Sequence, residues 1–227
     1  MARDRSHDSV RARSGRGRPP MTERRRETVR REIARAAVGL FTANGVQGTT
    51  GDDIARAVGI STRTLWRYFP TKESCVRPLL TEGLDLVAAH LRACPARTPL
   101  LEYLEQERFF GRGAPPMEAP VMDLVRMTRT EPGLMAVWLE VHHAAEAVFA
   151  DIIAARSGAR ADDLSVRVQA AVLNAALRLA AEEQARRPPG SPDAPSDGVG
   201  SLVRTALAAA ACGLPAFGHG PQARPNA

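Results

Sequence analysis

The stretch TGDDIARAVGISTRTLWRYFPTKE, residues 50–73, decides the fold of this 227-residue chain. Thr50 can cap the first turn of a helix, and Asp53, three residues on, can reach back to it, an approximation of a capping box. Ile54, Ala55 and Val58 form the inner face of that helix, and Gly59 ends it. Ser61 caps the next helix, which runs to about Phe69 and stops at Pro70. Thr71 caps a further one, with Glu73 early in it. Helices of about eight residues, joined by so short a turn, have little core of their own and must pack on a neighbour; this is helix-turn-helix grammar.

The second helix of the pair divides its residues between two faces. A step of 100° per residue brings Leu65 and Phe69 together and turns Arg63, Thr64, Trp66 and Arg67 away from them. That outward set suits a major groove. Arginine donates two bonds to guanine, threonine offers a hydroxyl or a methyl contact, and tryptophan packs on sugar or base edges. Tyr68 lies at the flank, within reach of a phosphate oxygen. Lys72, the one lysine in the chain, opposes the dipole at a helix start. A phosphate partner accounts for it there, and so does simple placement.

Upstream, Val29, Ile33, Ala37, Leu40 and Phe41 recur on one helical face beginning near Glu27, and Asn44-Gly45 supplies the stop. Residues 1–26 lack apolar periodicity and read as a disordered basic arm. Eleven arginines up to Arg31 against four acids give this end a net +7. The rest of a chain whose total is +6 is therefore close to neutral. A basic arm beside a neutral body is compatible with nucleic-acid binding and with a solvated tail. Within it Gly15-Arg16-Gly17-Arg18-Pro19 is similar to the core of an AT-hook. Arg16 and Arg18 either enter a narrow minor groove or add phosphate affinity without sequence preference.

Downstream the pattern stays helical, interrupted at Pro95, 111–116, Pro132, Gly158 and 188–200, and no strand is evident. Helices are predicted over about 133–156, 161–185 and 199–212. The first has Leu134, Trp138, Val141, Ala145, Phe149 and Ile152 on one face. The second is apolar nearly all round between Val168 and Ala181, the mark of burial on more than one side. The fold class is therefore all-α. A three-helix DNA-binding domain spans 27–77, a larger helical domain spans 78–212, and a Pro/Gly-rich tail spans 213–227. Three scattered cysteines suit neither a disulfide framework nor a zinc site. No uninterrupted run of about 18 apolar residues is present to span a membrane, and the Arg-rich start has no apolar stretch behind it to make a secretory signal.

Enzyme signatures are missing from the sequence: no Gly-rich phosphate loop, no His-Glu-x-x-His, no Gly-x-Ser-x-Gly. His142 and His143 stand near Glu140 and Glu146, but adjacent histidines on a helix diverge, which argues against a metal site. Neither catalytic residue, metal nor cofactor is expected.

Residues 50–73, with the preceding Gly39-Leu-Phe-Thr-Ala-Asn-Gly45, closely resemble the DNA-binding domain of TetR-family regulators over about 50 residues. The resemblance implies phosphate contacts at Thr50, Tyr68 and Lys72, and contacts to bases or nearby backbone at Thr62, Arg63, Thr64 and Trp66, with Arg67 beside them. Two positions depart from the common pattern: Arg63 stands where glycine is frequent, and Trp66 where tyrosine is common. The first adds a potential guanine reader. The second keeps an aromatic ring and loses its hydroxyl.

The same resemblance implies a cytoplasmic, nucleoid-associated homodimer, most often a repressor released from a palindromic double-stranded DNA operator by a small-molecule effector. The dimer would form through about 161–185 and 199–212, with Ala170, Ala171, Ala175, Ala176, Ala206, Ala208, Ala209 and Ala210 allowing close helix packing. A largely apolar effector would lie among the middle helices, near Phe110, Met122, Trp138, His142 and Phe149, joined by Phe109 and Met127. His142 also reads as a satisfied core histidine, and the aromatic and Met residues as ordinary packing.

Overall fold

The computed structural model describes residues 23–100, 102–103, 119–187 and 199–211. Arg16, Arg18, Phe109, Phe110, Cys212 and the tail 213–227 lie outside the described residues. All regular structure among the described residues is helical. The helices are α1 Glu23–Asn44, α2 Gly51–Ala57, α3 Thr62–Tyr68, α4 Arg77–Ala93, α5 Ala119–Thr128, α6 Pro132–Ser157, α7 Leu164–Arg186 and α8 Val199–Ala211. A short 3₁₀ turn, Glu73–Val76, leads into α4.

Local chemistry fixes the head, α1 to α3. Helix α1 begins at Glu23, four residues before its apolar periodicity does. Its first turns are exposed, so no core residue marks them in the sequence. Ile33, Ala34, Ala37, Val38 and Phe41 are buried, and Gly45 ends the helix in the left-handed conformation at φ +74°. Its N–H donates to Phe41 O at 2.9 Å.

Helix α2 has a complete capping box. The Asp53 N–H donates to Thr50 Oγ1 (3.2 Å), and the Thr50 N–H donates to Asp53 Oδ2 (3.0 Å). At its other end Gly59, with φ +68°, closes a Schellman motif: Ile60 N–H donates to Ala55 O and Gly59 N–H to Arg56 O. Ser61 Oγ accepts from Thr64 N–H at the start of α3. Phe69, held extended by the following Pro70, ends it.

Leu65, Phe69, Ile54 and Ala55 close over α1, as the outward/inward division of α3 predicts. Thr71 bonds the Ser74 N–H as a cap would, but the turn it opens is 3₁₀ before it becomes α4.

The body is α5 to α8, packed mainly as α6 on α7 and α7 on α8, with α4 against α6 and α5 against α6 and α7. The predicted inner face of α6 is buried throughout, from Leu134 to Ile152. Helix α7 departs from the sequence reading. Its apolar residues divide into a buried face, with Val166, Ala170, Leu173, Ala176, Leu177, Ala180 and Ala181, and an exposed stripe. That stripe is Leu164, Val168, Val172 and Leu179, each 40% exposed or more. Ala170 and Ala176, expected at a dimer interface, belong to the chain's own core instead. A 100° step turns them toward α6 and away from the valines.

Averaged over 18 residues, α7 is also long and apolar enough to cross a membrane, although no uninterrupted apolar run exists. Here it is the central helix of the bundle, with the amide of Asn174 buried in it.

Head and body share one continuous core. They are also tied by polar contacts: Gln47 Nε2 donates to Glu131 Oε2 (3.0 Å), and Arg77 pairs with Glu140. The guanidinium of Arg156 on α6 donates to the carbonyls of Cys94 (2.9 Å) and Thr98, securing the end of α4. Cys75 and Cys94 are buried free thiols, and desolvation, with the Glu73 charge second, pushes the Cys75 pKa up to about 12, so it stays protonated and unreactive.

Candidate DNA-binding surface and effector region

On α3, Arg63 and Arg67 are exposed and one helical turn apart, with Trp66 between them at 43% exposure. Among the described residues no side-chain partner restrains either guanidinium, so both can turn to a groove or a phosphate. The threonines are less free. Thr62 Oγ1 donates to Asp52 Oδ1 (2.6 Å), tying α3 to α2, and while it does so it has only acceptor capacity left. Thr64 Oγ1 lies 2.8 Å from Ser61 Oγ, half-buried against the cap. Tyr68 is half-buried, its ring tilted against Phe69 at 6.5 Å between centroids.

Thr50 and Lys72 turn out to be builders of the motif. The Thr50 hydroxyl donates to Asp53 Oδ2 at 2.6 Å, so both its donors go to one carboxylate. These bonds from Thr50 hold the Asp53 carboxyl below the usual carboxylate range. Lys72 Nζ donates to Val46 O (2.7 Å) and Thr49 O (3.0 Å), carbonyls of the turn between α1 and α2. Opposition to a helix dipole is thus answered by backbone oxygens, and one ammonium proton remains for a phosphate. No local pattern signals these bonds, because the carbonyls lie 26 and 23 residues back along the chain.

One neighbour of Trp66 likewise has no sequence signal. A Cβ built on Gly51 would overlap Trp66 Cζ2 and stand 2.5 Å from Cη2. The indole therefore lies directly on the backbone of the first residue of α2.

In the body, Trp138, His142 and Phe149 line the buried face of α6 as the spacing predicts, whereas His143 points outward and lies 3.7 Å from Glu146 Oε2. A polar network crosses from α6 to α7. Trp138 Nε1 donates to Glu182 Oε1 (3.0 Å), which also accepts from Arg178 (2.9 Å). Asn174 Nδ2 donates to Glu146 Oε1 (3.1 Å), leaving Asn174 Oδ1 facing His142 Nδ1 at 2.8 Å.

The assignment follows from the carboxylate. Glu146 needs a donor, so the amide oxygen faces the imidazole, Nδ1 carries the proton, and Nε2 is left as an acceptor. That Nε2 is buried and has no protein partner among the described residues. Desolvation, opposed by the Asn174 bond, holds the His142 pKa below its ordinary value, so the ring is neutral near pH 7.

Met122 is half-buried on α5 and packs against the core. Met127 packs against the same core. It lines a cleft of about 350 Å³ between head and body, with Phe41, Val46, Arg126 and Glu131.

Comparison with known proteins places the fold of head and body in one family. Residues 33–79 match the model of bacterial regulatory proteins of the tetR family, and residues 110–215 match the MftR C-terminal domain. The chain is 30% identical over 173 residues to the HTH-type transcriptional regulator TcmR of Streptomyces glaucescens, covering 73% of this chain and 76% of that protein. To the regulator MftR of Mycobacterium tuberculosis it is 47% identical over 51 residues, 22% of this chain and 26% of that one. Among solved structures it is similar to the TetR-family repressor FadR of Thermus thermophilus in complex with lauroyl-CoA. That similarity has a TM-score of 0.50 at 21% identity, covering 87% of this chain and all of that one.

Proposed function

The chain belongs to the tetR family of bacterial regulatory proteins, a DNA-binding transcription regulator with a helix-turn-helix head, and we propose that it acts as a cytoplasmic, homodimeric repressor, not an enzyme, released from a two-fold-related operator by a small, largely apolar effector. The observation that carries the DNA-reading part is the outward face of α3. Arg63, Trp66 and Arg67 project from a helix whose other side, Leu65 and Phe69, is sealed in the core. Arg63 and Arg67 supply guanine or phosphate donors, Trp66 a flat apolar surface, and Thr64 a hydroxyl. Thr50, Thr62, Tyr68 and Lys72 border that face. Thr50 and Thr62 hold the helices in register, and their hydroxyls reach a phosphate only by turning from Asp53 and Asp52; Lys72 keeps one ammonium proton for the sugar-phosphate backbone, and Tyr68 flanks the same face.

Dimerisation is supported by the stripe Leu164, Val168, Val172 and Leu179 on α7. Large aliphatics spaced by four and seven residues along one exposed helix face are what a helix-helix interface covers. Two heads brought together in this way can read neighbouring half-sites, and an effector that changes their spacing lowers operator affinity. An effector site at the α6–α7 network is supported by His142 Nε2, a buried acceptor with no partner among the described residues. A hydroxyl or N–H on an otherwise apolar molecule would complete it. Phe149, fully buried in the core, is wall rather than contact.

The test is selection from randomised duplex DNA with the purified chain, followed by salt titration of the enriched site and light scattering of the free protein. A two-fold-related sequence, a salt-sensitive complex and a dimeric mass are the expected results. If no sequence is enriched at any salt concentration, the reading is wrong.

A further inference from the structure

We propose that Gly51 is a positioning residue for DNA recognition: its missing side chain lets the Trp66 indole lie across the first turn of α2, and this placement fixes which surface of the indole meets the duplex. The inference rests on the DNA-reading role proposed above for α3.

A glycine in the first position of a seven-residue helix needs a reason, since it weakens a helix that has few bonds to lose. Conformation is not the reason. Positive φ among the described glycines occurs at Gly45, Gly59 and Gly158, so at Gly51 the backbone suits any L-residue. Sterics is the reason. A Cβ there would overlap Trp66 Cζ2, approach Cη2 to 2.5 Å and lie 3.2 Å from Cε2. All three atoms belong to the six-membered ring of the indole. Cζ2 and Cη2, the two atoms approached most closely, belong to the fused second ring that phenylalanine and tyrosine lack.

The arrangement explains how a residue on the exposed face of α3 can be more than half-covered, at 43% exposure. Its inner surface rests on α2, and its remaining surface is presented in one fixed orientation beside Arg63 and Arg67. A side chain at position 51 cannot coexist with that orientation. The indole must swing outward, into the space where base edges or sugars would lie. Gly51 and Trp66 therefore act as one shape, contributed by the two helices of the motif.

The experiment is a double-variant cycle on the full chain, using the duplex enriched by the wild-type protein from a randomised pool. Gly51→Ala should lower affinity for that duplex by about tenfold or more and change base preference when the selection is repeated with the variant. In the Trp66→Phe background, where Cζ2 and Cη2 no longer exist, adding Gly51→Ala should change affinity by less than about threefold. A DNA-free readout accompanies this. Acrylamide quenching of tryptophan fluorescence should rise in Gly51→Ala, with the buried Trp138 as a constant background.

Equal losses on adding Gly51→Ala to the wild-type chain and to Trp66→Phe would assign the effect to α2 itself and overturn the inference. So would unchanged quenching with unchanged base preference. Failure of the wild-type chain to enrich any sequence overturns the DNA-reading role and this inference together. A well-enriched site that Gly51→Ala binds as wild type does overturns the inference alone.

Discussion

Helix α2 has seven residues and helix α6 has twenty-six, and they reach order by different means. In α2 both ends are closed by named bonds: a reciprocal box between Thr50 and Asp53, and a Schellman pair through Gly59 and Ile60. Only Ile54 and Ala55 are buried in it. Helix α6 begins at Pro132, the preceding Glu131 makes no side-chain cap, and the helix holds because its inner face from Leu134 to Ala154 is buried almost without interruption. Short helices cannot repay the entropy of nucleation from packing alone, so their sequence must carry the ends. Long ones are stabilised by the face they bury, and their ends matter less.

That contrast sets the order of expected effects. The largest belongs to the body. Phe149 is fully buried on α6, and Phe149→Ala should cost about 3–5 kcal/mol of unfolding free energy, measured by denaturant titration. A cost no greater than that of removing a single cap in the head would break the comparison. The next effect falls on the other side of it and should not appear in stability at all. Arg63 is exposed, so Arg63→Ala should leave the unfolding curve in place while costing about 1–3 kcal/mol at particular base pairs of the selected operator. A variant whose base preferences match wild type would remove Arg63 from the reading set and leave Trp66 and Arg67 to carry it.

The same division explains what is legible in the sequence. The head is readable because its rules are local. Thr50 to Asp53 and Ser61 to Thr64 are three residues apart, Gly59 follows its helix directly, and Pro70 sets Phe69. What escapes the sequence there spans longer distances: Lys72 reaching the carbonyls of Val46 and Thr49, and Trp66 lying on Gly51. In the body, periodicity finds the inner face of α6 correctly. It cannot divide α7, because an all-round apolar helix has no preferred side until neighbours choose one. Ala170 and Ala176 go to the chain's own core, and Val168 and Val172 go to the surface. Nor can spacing tell that Asn174 and Glu146 fix the tautomer of His142.

Thr50 sharpens the comparison at a smaller scale. Thr50→Ala removes the acceptor for Asp53 N–H and one donor to its carboxylate, and should lower stability by about 1 kcal/mol in thermal or denaturant unfolding. Thr50→Ser, which keeps the hydroxyl, should restore most of that. If serine fails to do so, the threonine methyl rather than the cap is what matters.

The last effect is a pH dependence, near zero at about pH 7 and growing only as the pH falls, and it tests the body's buried polar network. His142 is held neutral, its pKa lowered chiefly by desolvation, with the Arg178 charge acting the same way and Asn174, Glu182 and Glu146 opposing. In the unfolded chain the same ring takes up a proton near its ordinary value of 6.5. Below that value the unfolded state binds a proton that the folded state refuses, so stability falls as pH falls toward the depressed folded value. Above it both states are neutral, and the group contributes no slope.

His142→Gln keeps a donor and an acceptor in the network without titrating there. Wild type should therefore lose stability relative to His142→Gln between about pH 7 and pH 5, by no more than about 1.4 kcal/mol per pH unit. The other histidines cancel in that difference. Parallel stability curves across this range would mean that His142 protonates as readily when buried as when unfolded. In that case the acceptor Nε2 is not kept bare by the fold, and an effector donor would have no reason to seek it.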